Sequence, residues 1–266
     1  MGDLKDVNLD RPRWDQSTYF GRARHFFTVA NPLNLRYTSR DLDKAKAIVE
    51  NHRKGLPQQN ALTLDELWKA KHIYDSAFHP VTGEKIFILG RMSAQVPMNM
   101  IITGNMMLFY KTTPAVVFWQ WVNQSFNALV NYCNRSDSDM PVSELAEGIK
   151  VIDENNNVIG QSKVAALEAT ISVVISRVIM AAPSMAVTPL VLNSLEKRGV
   201  FRRKPYLQPV LGLGITGLIL TFATPLACAL FAQTAPIAVG KLEPEIQEKI
   251  KKISPSTKTL YYNKGL

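Results

Sequence analysis

Six amide side chains, Gln120, Asn123, Gln124, Asn127, Asn131 and Asn134, recur along the stretch 112–134, which holds no charged residue. At about 100° per residue they fall within roughly a 100° arc of an α-helix. Phe118, Trp119, Trp121, Val122, Phe126, Leu129 and Val130 take the other side. Amides donate and accept hydrogen bonds without carrying charge. They suit a place where charge is costly and hydrogen bonding is still needed, such as the interior of a membrane bundle or the wall of a polar path through it. The chemistry is recognition of a polar solute rather than bond making. Three uses stay open: lining a path, bonding helices to one another, or a neutral face on a soluble helix.

Arg177 is the only charge between Glu168 and Glu196. Inside a membrane span it should face the bundle or a cavity. It either meets a substrate carboxylate, or snorkels or pairs with a helix C-terminus or a loop acid. Pro97, Pro183 and Pro189 are expected helix breaks. Carbonyls freed by such breaks can line a site, or the kink can serve packing alone. The run His79, Pro80, Val81, Thr82, Gly83, Glu84 brings His, Thr and Glu close in sequence. It contains no nucleophile–base pair, and Thr82-Gly83 signals a turn. The expectation is a structural turn, and no catalytic residue is assigned.

Gly212, Gly214 and Gly217 match GxGxxG, but inside an apolar run with no acid before Glu243. Close packing of membrane helices explains them better than a dinucleotide, and no cofactor is expected. Asn123-Gln-Ser125 and Asn134-Arg-Ser136 match the glycosylation sequon without a context that favours it. His25, His52 and His72 lack ligand spacing, and Cys133 and Cys228 are the only cysteines, so neither a metal site nor a disulfide framework is expected.

These residues need elements to hold them. The chain has 266 residues, 46% hydrophobic and 20% charged, which excludes wholesale disorder. Its formal net charge of +9 is scattered among acids without interleaved aromatics, which points to anionic membrane lipids and away from nucleic acid. Residues 1–91 read as a soluble helical region. One helix is expected over 38–53, capped by Thr38 or Ser39 and stopped by Gly55 and Pro57. A second opens on the capping box Thr63-Leu-Asp-Glu66 and runs to about Tyr74. Trp14, Trp68 and Phe26 should join them. The N-terminus has neither a secretory signal, a transit peptide nor a myristoylation pattern.

Residues 92–240 read as the membrane region, with spans near 98–120, 169–193 and 208–231. The amide-striped helix continues to about 134, a polar loop covers 135–168 with a hairpin possible at DENNN, and 241–266 is a polar tail. A split near Thr113-Pro114 is the alternative for the first span. The loop 135–168 carries seven acids against Arg135, Lys150 and Lys163, whereas 196–204 carries five bases against Glu196. Three spans place the basic N-terminal region and the basic loop on one side. The fold class is therefore all-α: a multi-pass helical membrane protein with an N-terminal soluble layer and about three spans.

The strings PRWDQSTYFGRARHFFTVANPLN (12–34), YDSAFHPVTGEK (74–85), GRMSAQVPMNM (90–100), TTPAVVFWQWVNQSFNALVNYCNRS (112–136), SRVIMAAPSMAVTPLVLNSLEKR (176–198), ATPLACALF (223–231) and YYNKGL (261–266) resemble the sideroflexin family. The resemblance covers nearly the whole chain. It implies a multi-pass protein of the mitochondrial inner membrane, brought in by the import machinery without a cleaved presequence. It implies transport of serine and other small neutral amino acids for one-carbon metabolism, with an indirect link to iron homeostasis. Members normally carry five spans. Here two are missing between the positions of Leu145 and Ile149. The alternative is a non-transporting inner-membrane scaffold or respiratory-complex assembly factor with protein partners, or an inactive shortened isoform.

For the transporting form, Gln120, Asn123, Gln124, Asn127 and Asn131 are expected to line the path and Arg177 to receive the carboxylate. A zwitterion suits neutral amides plus one charge.

Overall fold

A computed structural model describes residues 7–56, 62–80, 82–109, 111–134, 148–154, 157–232, 234–254 and 257–263. The chain divides into two compact units. The first comprises 1–134 with 179–229, and the second 135–178 with 230–266.

The first unit opens with helix α1 (Tyr19–Val29), a 3₁₀ turn (Pro32–Arg36), α2 (Ser39–Arg53) and α3 (Leu64–Ala77). The expected capping box at Thr63 forms, and Thr38, one of the two residues expected to cap α2, makes a second. Thr38 accepts from the backbone of Asp41 while the Asp41 carboxylate accepts from the Thr38 backbone, and Thr63 and Glu66 do the same. Each satisfies donors that a helix N-terminus leaves unpaired. Gly55 takes a left-handed φ of 64° just past α2, the conformation that favours glycine there. Leu9, Leu42, Val49, Leu67, Tyr74, Ala77 and Phe78 form the core of this layer. Trp14 stacks on His72 at 5.2 Å, Trp68 lies 6.3 Å from the same ring, and Arg13 sits over both indoles.

The unit continues with α4 (Gln95–Leu108), α5 (Thr113–Cys133) and α7 (Leu207–Cys228), and takes in the C-terminal part of α6 (Lys163–Lys197). Ile102 of α4 packs against Phe126 and Val130 of α5, with Met98, Met106 and Val122 around them. Gly217 lets α7 approach α4 closely, since a Cβ there would lie 2.2 Å from Met100 Sδ. Of the GxGxxG glycines, Gly217 serves packing, whereas a Cβ at Gly214 would meet nothing. Arg22 of α1 donates from Nε to Ala229 O (2.8 Å) at the end of α7, satisfying a carbonyl that the helix leaves open. The paired hydroxyls of Thr188 and Thr216, 3.2 Å apart and buried, join α6 to α7.

The second unit contains a four-stranded antiparallel sheet in the order β2-β1-β4-β3, so the all-α expectation is corrected to mostly helical with a small sheet. The strands are β1 (Ile149–Ile152), β2 (Val158–Ser162), β3 (Thr234–Ala238) and β4 (Thr259–Asn263). The hairpin turn is held by Asn157, whose backbone and amide nitrogens donate to the Asp153 carboxylate at 2.8 and 3.0 Å. Val151, Ile159, Ile237 and Leu260 build a core with Ile246 and Ile250 of α8 (Pro244–Ile253) and with Ala165, Ala166 and Ala169 of α6. Glu243 accepts from Lys163 N (2.7 Å) and Val164 N (3.2 Å) at the N-terminus of α6, where a carboxylate complements the helix dipole. Burial opposes the charge of Glu243, yet hydrogen bonds to its carboxylate hold the pKa below the usual value. The sheet went unforeseen because β1 pairs with β4 more than a hundred positions away, and such pairing leaves no local period.

The expected span near 98–120 is instead two helices. α4 ends at Leu108, Thr112 is extended, and Pro114 lies in the first turn of α5, where its missing N–H costs no helical bond. Among the described residues, two helices are long and apolar enough to cross a membrane, α6 and α7. α6 contains the expected span 169–193, and α7 covers the expected span 208–231 as far as Cys228. No helix is interrupted at the three prolines. Pro97 lies in the first turn of α4, where the N–H has no intrahelical partner. α6 runs through Pro183 and Pro189 without interruption. Each removes one bond from a helix of 35 residues, so the carbonyls of Ile179 and Met185 receive no i+4 donor while the helix persists.

Candidate functional site

The site is built on α5. Its buried face is Phe126 and Val130 with the half-buried Val122, a stripe spaced by four residues. On a helical wheel the amides begin beside that stripe and extend away from it. Asn123, Asn127 and Asn134, which lie beside the packed stripe, are half-buried, whereas Gln120, Gln124 and Asn131 are exposed. The arc read from the sequence is therefore anchored along one edge and open along the other. Phe118 and Trp121, on the side opposite the amides, are exposed. Together with Thr113, Pro114 and Val117 they line a shallow apolar hollow.

The anchored edge is partly satisfied within the protein. Asn127 Nδ2 donates to Asn123 Oδ1 at 3.4 Å. Asn134 Nδ2 donates to Gly90 O and to Val130 O, both at 2.7 Å, and ties the end of α5 to the segment before α4. Gly90 is required for that approach, because a Cβ there would lie 2.4 Å from Cys133 Sγ. For Asn134, bonding one element to another is the role the structure gives.

Directly beyond Gly90 lies a polar group that sequence reading passed over. Arg91, Ser93 and Gln95 are 7%, 0% and 4% exposed. Arg91 Nε donates to Ile86 O at 3.1 Å, and no acidic side chain pairs with it among the described residues. Ser93 Oγ and Gln95 Oε1 are buried without hydrogen-bond partners. Buried polar groups normally find partners, which sets Ser93 Oγ and Gln95 Oε1 apart. The signal was present: Arg91 is the last charge before the uncharged run 92–110, with polar residues two and four positions on.

Arg177 is half-buried on α6 in the second unit, one residue after the buried Ser176. The run from His79 to Glu84 forms the expected turn. His79 N donates to Glu84 O (2.8 Å), Gly83 N to His79 O (2.9 Å) and Thr82 N to His79 Nδ1 (3.2 Å), with Gly83 at φ 66°. Lys46 Nζ donates to Gly83 O, and Lys85 reaches Asp43 and Ser39, so the turn is fastened to α2. Pro80 is exposed, and Val81 lies outside the described residues. Burial depresses the pKa of both His25 and His72, and Arg13 lowers His72 further, which favours neutral rings.

Comparison with known proteins bears on the whole chain. The family model for sideroflexins matches residues 8–143 and 139–266. The chain is 45% identical to sideroflexin-1 of Sus scrofa and of Homo sapiens, over 98% of each chain. It is 45% identical to sideroflexin-3 of Mus musculus over 323 aligned positions that take in 100% of both chains. Since this chain has 266 residues, at least 57 of those positions have no counterpart in it. The two matched segments meet at 139–143, close to the junction expected between Leu145 and Ile149; residues 135–147 lie outside those described. No solved structure matches. With a family match that spans nearly every residue, and relatives aligned end to end, the chain belongs to the sideroflexin family.

Proposed function

We propose that this chain moves a small neutral amino acid, serine first, across the mitochondrial inner membrane, without covalent chemistry or a cofactor. The observation that carries the reading is the row of neutral amides on α5, exposed along one edge in a chain with two helices of membrane-crossing length. A zwitterion needs hydrogen-bonding groups along its way and no compensation of net charge. Gln120, Asn123, Gln124, Asn127 and Asn131 line that path. Arg177, the cation expected from the sequence, and Arg91 are the candidates for the carboxylate. The basic loop 196–204 and the net charge of +9 suit anionic lipids. Supply of one-carbon metabolism and the link to iron handling follow from the family resemblance, as does delivery by the import machinery.

Uptake of labelled L-serine by proteoliposomes tests the reading. Uptake above that of empty vesicles is expected, and Asn127→Leu should reduce it. Wild-type uptake equal to empty vesicles would sink the transport function. Retention in the membrane pellet after carbonate extraction of mitochondria tests the location.

A second reading is a non-transporting scaffold or assembly factor. The observation that favours it is the absence of at least 57 positions present in the relative, since a pathway wall needs an opposite wall. Affinity purification from inner membrane should then recover a stable protein partner, and serine uptake should be absent.

A further inference from the structure

We propose that Arg91, rather than Arg177, receives the carboxylate of the transported solute, with Ser93 and Gln95 completing the site. The inference rests on the transport reading for its substrate class. Its geometry stands on the first unit alone.

The amide row on α5 runs toward Asn134, and Asn134 bonds the Gly90 carbonyl. The next residue in the chain is Arg91. The neutral row therefore leads to a segment whose side chains are polar, buried and incompletely used. One guanidinium donor is spent on Ile86 O, and the others have no partner among the described residues. A guanidinium presents its donors as a planar fork that matches a carboxylate in two-point geometry. Ser93 Oγ and Gln95 Oε1 supply the acceptors and hydroxyl donor that a free amino acid also needs for its ammonium and side chain.

A purely structural Arg91 would be expected to spend its fork on carbonyls or an acid, as Arg22 does. That residue donates to Ala229 O, Gln16 O and Ser17 O. Arg91 is the more buried of the two and has one such bond. Its other guanidinium nitrogens are not among the buried atoms that lack a partner, so they keep contact with solvent and stay open to a ligand, while Ser93 Oγ and Gln95 Oε1 are buried and unbonded. A carboxylate ligand fits that fork, as it brings both a negative charge and two acceptor oxygens.

The test uses the full chain, purified in detergent and also reconstituted. Binding of L-serine is compared with binding of ethanolamine, which keeps the hydroxyl and the ammonium and lacks the carboxylate. The wild type should prefer serine. Arg91→Gln should weaken serine about 10- to 100-fold while leaving ethanolamine within a few-fold, so the preference collapses. Arg91→Lys should restore part of it, because the charge returns without the fork. Arg177→Gln should keep the preference.

A wild type without preference for serine overturns the proposal, as does an unchanged preference in Arg91→Gln. Should Arg91→Gln fail to fold, Arg91→Lys decides alone: an undiminished preference overturns the proposal, and a reduced one supports it. A wild type that binds serine with the expected preference but gives no uptake in vesicles sinks the transport reading and leaves the Arg91 site standing.

Discussion

The layer α2–α3 and the bundle α4–α5–α7 belong to one compact unit and are built by opposite rules. In the layer, charged faces surround an apolar core, and side chains cap the helix starts. In the bundle, α4, α5 and α7 carry no Asp, Glu, Lys, Arg or His, and none of the three has a side-chain cap bond. Contact there is made by Ile102, Phe126 and Val130, by the approach of Gly217 to Met100 and, toward α6, by paired threonine hydroxyls. The difference is what the surroundings demand. Against water, burial of apolar area drives packing and charge on the outer face is cheap. Among apolar helices that gain is small, so close approach and hydrogen bonds between neutral groups take over.

Substitutions should separate the two regimes. The largest loss belongs to the layer. Leu67→Ala removes a core side chain that is 1% exposed, and about 2–5 kcal/mol of stability should go. Denaturant unfolding checks this, and a loss under 1 kcal/mol would mean the layer is not a water-driven core.

In the bundle, Gly217→Leu should cost about 1–3 kcal/mol by forcing α7 from Met100, and Met100→Ala should recover part of it. Thermal unfolding in detergent gives the comparison, and an unchanged midpoint would show that the close approach carries no stability. Smaller still is a capping pair. Thr63→Ala should cost about 1 kcal/mol, whereas Thr112→Ala, which caps nothing through its side chain, should cost close to none. Equal losses at the two positions would erase the contrast.

The smallest effect is in pH. Burial holds the pKa of His72 below 6.5, so the unfolded state binds the proton more tightly. Stability contributed by the neutral ring is fully present above that value and falls as the pH is lowered through it. Protein carrying His72→Gln should show a flatter slope of stability between pH 7 and 5. The α5 helix, with no carboxylate, Lys, Arg or His, supplies no matching slope of its own. A slope unchanged by the substitution would assign the pH dependence elsewhere.

How much could be read in advance differed between the same regions. Thr38 and Thr63 announced their helices, because a capping box lies within four residues. The turn from His79 to Glu84 was legible for the same reason. The amide row was legible as a row, since a helical period is local. Which edge of it is anchored was not, because that depends on α4 lying against Phe126 and Val130. The prolines misled in the other direction. A missing N–H is visible in sequence, but whether the helix survives it depends on the rest of the helix.

By itself, the amino-acid sequence determined the capped helical layer, two apolar stretches of membrane length, a neutral polar arc on α5 and a likeness to one family. These are properties of residues within a few turns of each other, or of strings compared one by one. Tertiary structure alone decided that 149–162 and 234–263 form one sheet and that Arg91 lies buried beside the end of the amide row. Each requires segments distant in sequence to meet: β1 with β4, or Gly90 with Asn134. An exposed arginine and a buried one are spelled alike; only packing tells them apart.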